Sequence, residues 1–322
     1  MGAGHGHAHG HGHQAADADQ RWLTGALALI LAFMIGEVVV GFIAGSLALL
    51  SDAAHMLTDA ASIALALWAI RLAARPAAGR MTYGWKRVEI LSAQANGVTL
   101  LVLAGWLGYE AIQRLIQPPE VTGMLVLITA LVGVVINIAA TWMISRANRS
   151  SLNVEGAFQH ILNDLFAFIA TAVAGVVIVI TGFARADAIA TLIVVALMLR
   201  AGVGLVRAAS LIFLEAAPAD MDPELIGRAM AAHDAVVEVH DLHVWEITSG
   251  TPSLSAHVIL FPGSDYHATR ADLARLLAEA YGITHSTLQL DHGKTSNAAS
   301  DVAGDESHCD DAHGPVHRSA NG

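Results

Sequence analysis

Apolar residues crowd positions 23 to 213 of this chain. Six stretches there are long enough to cross a hydrocarbon core as helices: 23–44, 46–74, 88–116, 121–145, 153–182 and 187–209. The connections alternate in charge. Those at Gly45 and at Pro118, Pro119 and Glu120 lack Lys and Arg, and the one between spans five and six carries only Arg185. The opposite connections hold Arg71, Arg75, Arg80, Lys86 and Arg87, then Arg146 and Arg149. The positive-inside bias therefore predicts both termini in the cytoplasm. From Pro223 the pattern changes to a helix (Leu225, Ile226, Met230), strand-like runs at 236–247 and 253–261, a helix (Leu273, Leu276, Leu277) and a strand at 284–291. This α-β-β-α-β order predicts a small α+β domain with helices on one face of a sheet. The expected organisation is a disordered His-rich tail (1–20), a six-helix transmembrane domain (21–212), a cytoplasmic α-β-β-α-β domain (213–292) and a disordered polar tail (293–322).

Composition agrees with a membrane protein. Of 322 residues, 55% are hydrophobic and 14% charged, more apolar surface than one soluble core of this size needs. A net charge of −11, with the acidic residues gathered in the soluble parts, argues against a nucleic-acid partner. The single cysteine, Cys309, excludes an intrachain disulfide and a cysteine-built zinc site, so metal chemistry must use His and carboxylate. No Lys or Arg precedes Arg21 and no short apolar core with a cleavage site follows, so the start does not read as a signal peptide. His5, His7, His9, His11 and His13 alternate with Gly and Ala, unlike the uninterrupted run of a purification tag, and read as a loose metal-collecting tail.

His55 and Asp59 are four apart on span two, and His160 and Asp164 repeat that spacing on span five, so each pair shares a helix face about one turn apart. Asp52 falls near the first stripe. An aspartate at mid-membrane costs roughly 2.5–3.5 kcal/mol on insertion scales, so four ionisable groups there call for a compensating partner. A divalent cation supplies it. Two carboxylates, two neutral imidazoles and one doubly charged ion sum to zero, and four N/O ligands in tetrahedral geometry suit Zn2+, with Co2+ and Cd2+ as relatives and Cu(I) disfavoured for want of thiolate. The competing reading is hydrogen-bonding glue between helices, which the duplicated spacing makes less economical. Glu37, Asn96 and Asn137 read as helix contacts or the lining of a wet cavity.

The soluble region is rich in histidine: His233, His240, His243, His257, His267, His285 and His292. His240 and His257 fall on neighbouring predicted strands, with Asp291 able to add an oxygen ligand. His240 and His243 take opposite faces only if their strand lacks a bulge.

The string Ser46-Leu47-Ala48-Leu49-Leu50-Ser51-Asp52-Ala53-Ala54-His55-Met56-Leu57-Thr58-Asp59, with Tyr83-Gly84-Trp85-Lys86-Arg87-Val88-Glu89, resembles the cation diffusion facilitators, most nearly the bacterial zinc, cobalt and cadmium resistance members. The likeness runs from about Trp22 to His292. It implies a homodimer in the inner membrane that exports Zn2+ from the cytoplasm in exchange for protons, alternating between inward- and outward-open forms. The family's central site maps onto His55, Asp59, His160 and Asp164. The resemblance further implies a ferredoxin-like, metallochaperone-like cytoplasmic domain that binds zinc at the dimer interface through His240, His257 and Asp291, with His267 as a weaker match. Two departures stand out. Residues 71–80 hold no His, Asp or Glu, so the loop metal site of some relatives is expected to be missing, and Gln289 stands where some carry histidine. Arg87 and Glu215 fall where a Lys–Asp pair steadies the dimer in some relatives.

Metal and protons compete for a neutral imidazole that titrates near pH 6.5, which couples the two fluxes. Two rivals are a membrane metalloenzyme, which needs an open metal position and a nearby base, and a metal sensor without transport. No phosphate-binding loop of the Gly-x-x-x-x-Gly-Lys-Ser/Thr type is present, so direct ATP drive is not expected.

Overall fold

A computed structural model describes residues 10–44, 47–117, 123–147, 149, 151–292 and 315–319; the side chains at 10–19, 37, 40–44, 47–55, 58, 123–126 and 129 lie outside the described part. The chain divides into two units, Met1–Ser210 and Leu211–Gly322.

The first unit is helical: α1 (Gly10–Ala44), α2 (Leu47–Ala73), α3 (Val88–Ile116), α4 (Gly123–Ile144), α5 (Leu152–Thr181) and α6 (Ala186–Phe213). Each of the six apolar stretches marked by the sequence is a helix. Among the described residues, α3, α5 and α6 are long and apolar enough to cross a membrane, and shorter apolar runs occupy Gln20–Gly36 and Ala130–Ile144. α1 begins at Gly10, inside the segment expected to be a disordered tail. The strong helix formers Ala15, Ala16 and Ala18 make it cheap to extend a helix already nucleated downstream.

Two clusters organise these helices. Leu23, Ala26 and Ile30 of α1, Met56, Ala60 and Ile63 of α2, Ala140 and Ile144 of α4, and Ala157, Phe158 and Ile161 of α5 share one core. Leu100 and Ala104 of α3 meet Val194, Val195 and Met198 of α6 in another. The outward faces are apolar too, with Trp106 and Ile180 66% and 76% exposed, the pattern of helices whose surroundings are lipid. α3 and α6 approach closely because both carry glycine at the crossing. A Cβ at Gly97 would stand 2.8 Å from Val206 Cγ2 and 3.3 Å from the Gly202 carbonyl oxygen.

Polar residues tie the helix ends. Ser151 caps α5 by accepting from the Val154 amide and donates its hydroxyl to Glu89 at the start of α3. Arg149 forks onto both oxygens of Glu155, at 2.8 and 3.1 Å, with its guanidinium 3.7 Å from the Phe158 ring. At the far end of α3, Arg114 bridges Glu110 and Asp187, and Arg185 donates to the Leu115 carbonyl.

The second unit contains α7 (Pro223–Ala231), β1 (Val236–Glu246), β2 (Pro252–Leu260), α8 (Tyr266–Tyr281), β3 (His285–His292) and β4 (His317–Arg318). The sheet order is β3-β2-β1-β4, with β1 antiparallel to β2 and β4, and β2 parallel to β3. Val239, Leu254, Ala256, Val258 and Leu260 turn to a core completed by Ile226 and Met230 of α7 and Leu273 and Leu277 of α8. Asp222 caps α7 ahead of Pro223, and Asp265 caps α8, accepting from the His267 and Ala268 amides. β4 falls in the tail that the sequence assigns to disorder. Two residues carry no readable strand pattern, and their pairing comes from the open edge of β1.

Two outcomes follow from this packing. Gly97→Val is expected to force α3 from α6 and cost about 1–3 kcal/mol, the usual range for overpacking, read as a lower unfolding midpoint in detergent. Gly105→Ala, where a Cβ meets nothing within 4 Å, is the control and leaves the midpoint unchanged. The Ala268 and His267 amide hydrogen bonds hold the Asp265 carboxyl below its usual pKa. Its contribution is therefore present above the unfolded value of about 4 and lost as pH falls through the lower folded value. Asp265→Ala should destabilise the second unit at neutral pH, and its difference from wild type should shrink on acidification below that range.

Candidate metal centre

α2 and α5 run antiparallel with a definite register. Asn153 is buried and its Nδ2 donates to the Ala66 carbonyl at 2.9 Å. Seven residues back along α2 and seven forward along α5, His160 Nε2 lies 3.1 Å from Asp59 Oδ1. Small residues such as Ala60 and Ala157 in the shared core let the two backbones approach. Asp164 lies one turn beyond His160 on α5, and its Oδ2 is 4.0 Å from the same Nε2.

Among the described residues, Asp59, His160 and Asp164 bring ligand atoms within 4.8 Å of one another. His160 is 1% exposed and Asp59 7%. Neither His160 Nδ1 nor Asp164 Oδ2 has a hydrogen-bond partner among the described residues. A buried carboxylate oxygen without a donor is costly, and a cation would satisfy it. Zinc held by N/O ligands at about 2.0 Å sets the edges of its tetrahedron near 3.3 Å. The 3.1 and 4.0 Å separations at Nε2 lie on either side of that edge.

Of the four residues singled out in the spans, three are thus drawn together. His55 lies on α2 one turn before Asp59, and its side chain is outside the described part, as are those of Asp52 and Glu37. Asn137 is buried and donates to the Gly133 carbonyl of its own helix. Asn96 is buried on α3. Asn153 was not singled out by sequence, although it shares the stripe of His160 and Asp164 at i+7 and i+11.

In the second unit, His240 pairs across the sheet with His257, their rings 5.5 Å apart and edge to face. The neighbours Ala256 and Val258 point into the core, so both histidines point to the other face. A register shift lies between His240 and His243, with Asp241 at φ 51° inside it. This bulge puts His243, which pairs with Ser255, on the same face as His240. It also aims Asp241 at two imidazoles, with Oδ1 2.9 Å from His243 Nε2 and Oδ2 3.9 Å from His257 Nε2. Sequence reading missed Asp241, because alternation alone does not reveal the bulge.

Asp291 shares a strand with Gln289, which pairs with His257, but Asp291 itself pairs with Ile259 and accepts from the Gln289 amide at 3.2 Å. His267 starts α8, exposed, with its ring 5.4 Å from that of Tyr266. Neither is drawn against His240 or His257 among the described residues. Imidazole and carboxylate donors at Asp241, His243 and His257 fit a divalent metal in kind.

Comparison with known proteins agrees with both units. Residues 23–214 match the cation efflux transmembrane domain and residues 218–293 the cation efflux protein cytoplasmic domain. The chain is 39% identical over 293 residues to the metal cation efflux system protein CzcD of Cupriavidus metallidurans, covering 90% of each. It is 35% identical over 284 residues to the cadmium, cobalt and zinc/H(+)-K(+) antiporter of Bacillus subtilis, covering 85% of this chain and 89% of that one. The zinc transporter ZitB of Escherichia coli is 34% identical over 298 residues, 91% and 95% of the two chains. This chain therefore belongs to the cation efflux family, whose members are transporters embedded in the membrane through a helical domain.

Proposed function

We propose that this protein exports Zn2+, and with it Cd2+ or Co2+, from the cytoplasm through a site formed by His55, Asp59, His160 and Asp164. The observation that carries the reading is the convergence of Asp59, His160 and Asp164 from two helices. The relatives named for zinc, cadmium and cobalt support the metal class. The α2–α5 register supports the fourth ligand. Four residues back from Asp59 and four forward from His160, the same antiparallel pairing sets the backbone of His55 opposite Asp164.

Six spans, cytoplasmic termini and a homodimer complete the reading, supported by the charge alternation of the loops and by the match to a cytoplasmic domain. The reading includes a second zinc site in the cytoplasmic domain at His240, His257 and Asp291, with His267 as a weaker candidate. The metalloenzyme alternative is set aside, because cation efflux members are transporters.

Exchange with protons follows from the ligands themselves. The ligating nitrogen of each imidazole holds a proton or a metal, and protons entering from the acidic side displace the ion there. The chain then returns protonated, and the cytoplasmic side, being less acidic, strips the proton for the next metal. An antiporter among the relatives supports this.

Flux into proteoliposomes tests the site and the coupling separately. Asp59→Ala, His160→Ala and Asp164→Ala are each expected to lower zinc flux by more than the roughly 10–100-fold cost of losing an outer-shell partner. Wild-type flux from Asp59→Ala would favour a sensor, or a site elsewhere. Zinc movement should carry counter-moving protons and slow several-fold when the pH gradient is collapsed, and indifference to the gradient would remove the antiport. His55→Ala should match His160→Ala in size; a silent His55→Ala excludes it from the coordination sphere.

A further inference from the structure

Beyond β3 the chain returns to its own sheet. Residues 293–314 lie outside the described part, and Pro315–Ser319 then lie along the free edge of β1. His317 pairs with Val239 and Arg318 with Glu238, and the Ser319 amide donates to the Val237 carbonyl at 3.0 Å.

The groove that receives this strand is shaped for it. The His317 ring is buried over Gly227 of α7, where any Cβ would collide with it, and its Nδ1 lies 3.8 Å from Glu224 Oε2. A disordered tail resting by chance on a sheet edge has no reason to bury an imidazole in a seat that only glycine leaves open.

Arg318 does more than close the edge. Its Nε donates to Glu238 Oε2 at 3.1 Å, and that carboxylate is 3% exposed. The other oxygen, Oε1, lies 3.2 Å from His240 Nδ1. One carboxylate therefore touches the terminal arginine and the buried histidine. A carboxylate against one imidazole nitrogen fixes the ring's orientation and leaves the other nitrogen as the ligand. A buried carboxylate without its cation is left uncompensated and would turn from the ring toward water.

We propose that Pro315–Ser319 is a resident docking strand that, through Arg318 and Glu238, positions His240 for metal. His240 and Glu238 make the ligand–carboxylate pair, and the strand sets the carboxylate. The proposal rests on the reading of His240 as a zinc ligand and is independent of transport through the membrane site.

The test uses the full chain in detergent with Asp59→Ala and His160→Ala, which remove the membrane site, and Co2+ as a spectroscopic probe. Arg318→Glu and Glu238→Arg are each expected to weaken Co2+ binding about tenfold and change its visible absorption. The two together restore the opposite charges and should recover slow exchange over Val236–His240 but not Co2+ binding, because an arginine then faces His240 Nδ1; recovery of Co2+ binding as well would mean that the strand is merely structural and overturn the positioning role. A chain ending at Gly314 should resemble Arg318→Glu, and hydrogen exchange over Val236–His240 should quicken at least tenfold. Unchanged Co2+ affinity in Arg318→Glu overturns the positioning role, and unchanged exchange in the shortened chain overturns the docking. Absence of Co2+ binding by the parent overturns the His240 reading with the proposal, while zinc flux through unmutated Asp59 and His160 remains the separate measure of transport.

Discussion

A carboxylate inside a low-dielectric helical bundle must find positive charge, and the helical unit is arranged around that requirement. Asp59 and Asp164 approach one imidazole nitrogen from two helices, an arrangement with net negative charge until a cation or protons join it. Hydrogen bonding alone satisfies it poorly, because Asp164 Oδ2 and His160 Nδ1 are left without partners among the described residues. A small, doubly charged ion with an affinity for nitrogen and oxygen would relieve that deficit. The Asn153–Ala66 hydrogen bond holds the two helices in register so that this deficit falls at one point.

The two units treat buried charge differently. In the helical unit Asp59 and Asp164 converge on a histidine. In the second unit Glu238 is matched by a permanent cation, Arg318, delivered by the far end of the chain. That difference fits the proposed roles, since a site that passes an ion on must release it, whereas a site that keeps one gains from ligands held in a fixed orientation.

Much of this was legible in the sequence where a periodicity or a spacing carried it. The six apolar stretches became helices, and the i, i+4 pairs named three residues that meet in space. The α-β-β-α-β order was readable because strand alternation and helix period differ over 236–292. What escaped was set by non-local pairing. Asp241 approaches His243 and His257 only because a bulge shifts the register of β1, and a bulge leaves no periodic mark. β4 is two residues long and exists because an edge and a glycine seat receive it. Asn153 carries no mark of its own in the sequence, since a clamp two turns from the ligands forms no i, i+4 pair with them. Strand placement and family likeness point to Asp291, and family likeness alone to His267, but among the described residues neither is drawn against His240 or His257.

The Asn153–Ala66 hydrogen bond also sets a lever. Asp164 is eleven residues from it along α5, about 16 Å at 1.5 Å per residue. A tilt of α5 by about 10° around that fulcrum carries Asp164 by roughly 3 Å, far beyond the ~0.2 Å that a coordination bond tolerates. Helix angle and ion occupancy at the proposed site would thereby be coupled over a narrow range. In the proposed transport cycle such a tilt would by itself release the ion, with no need for a separate door.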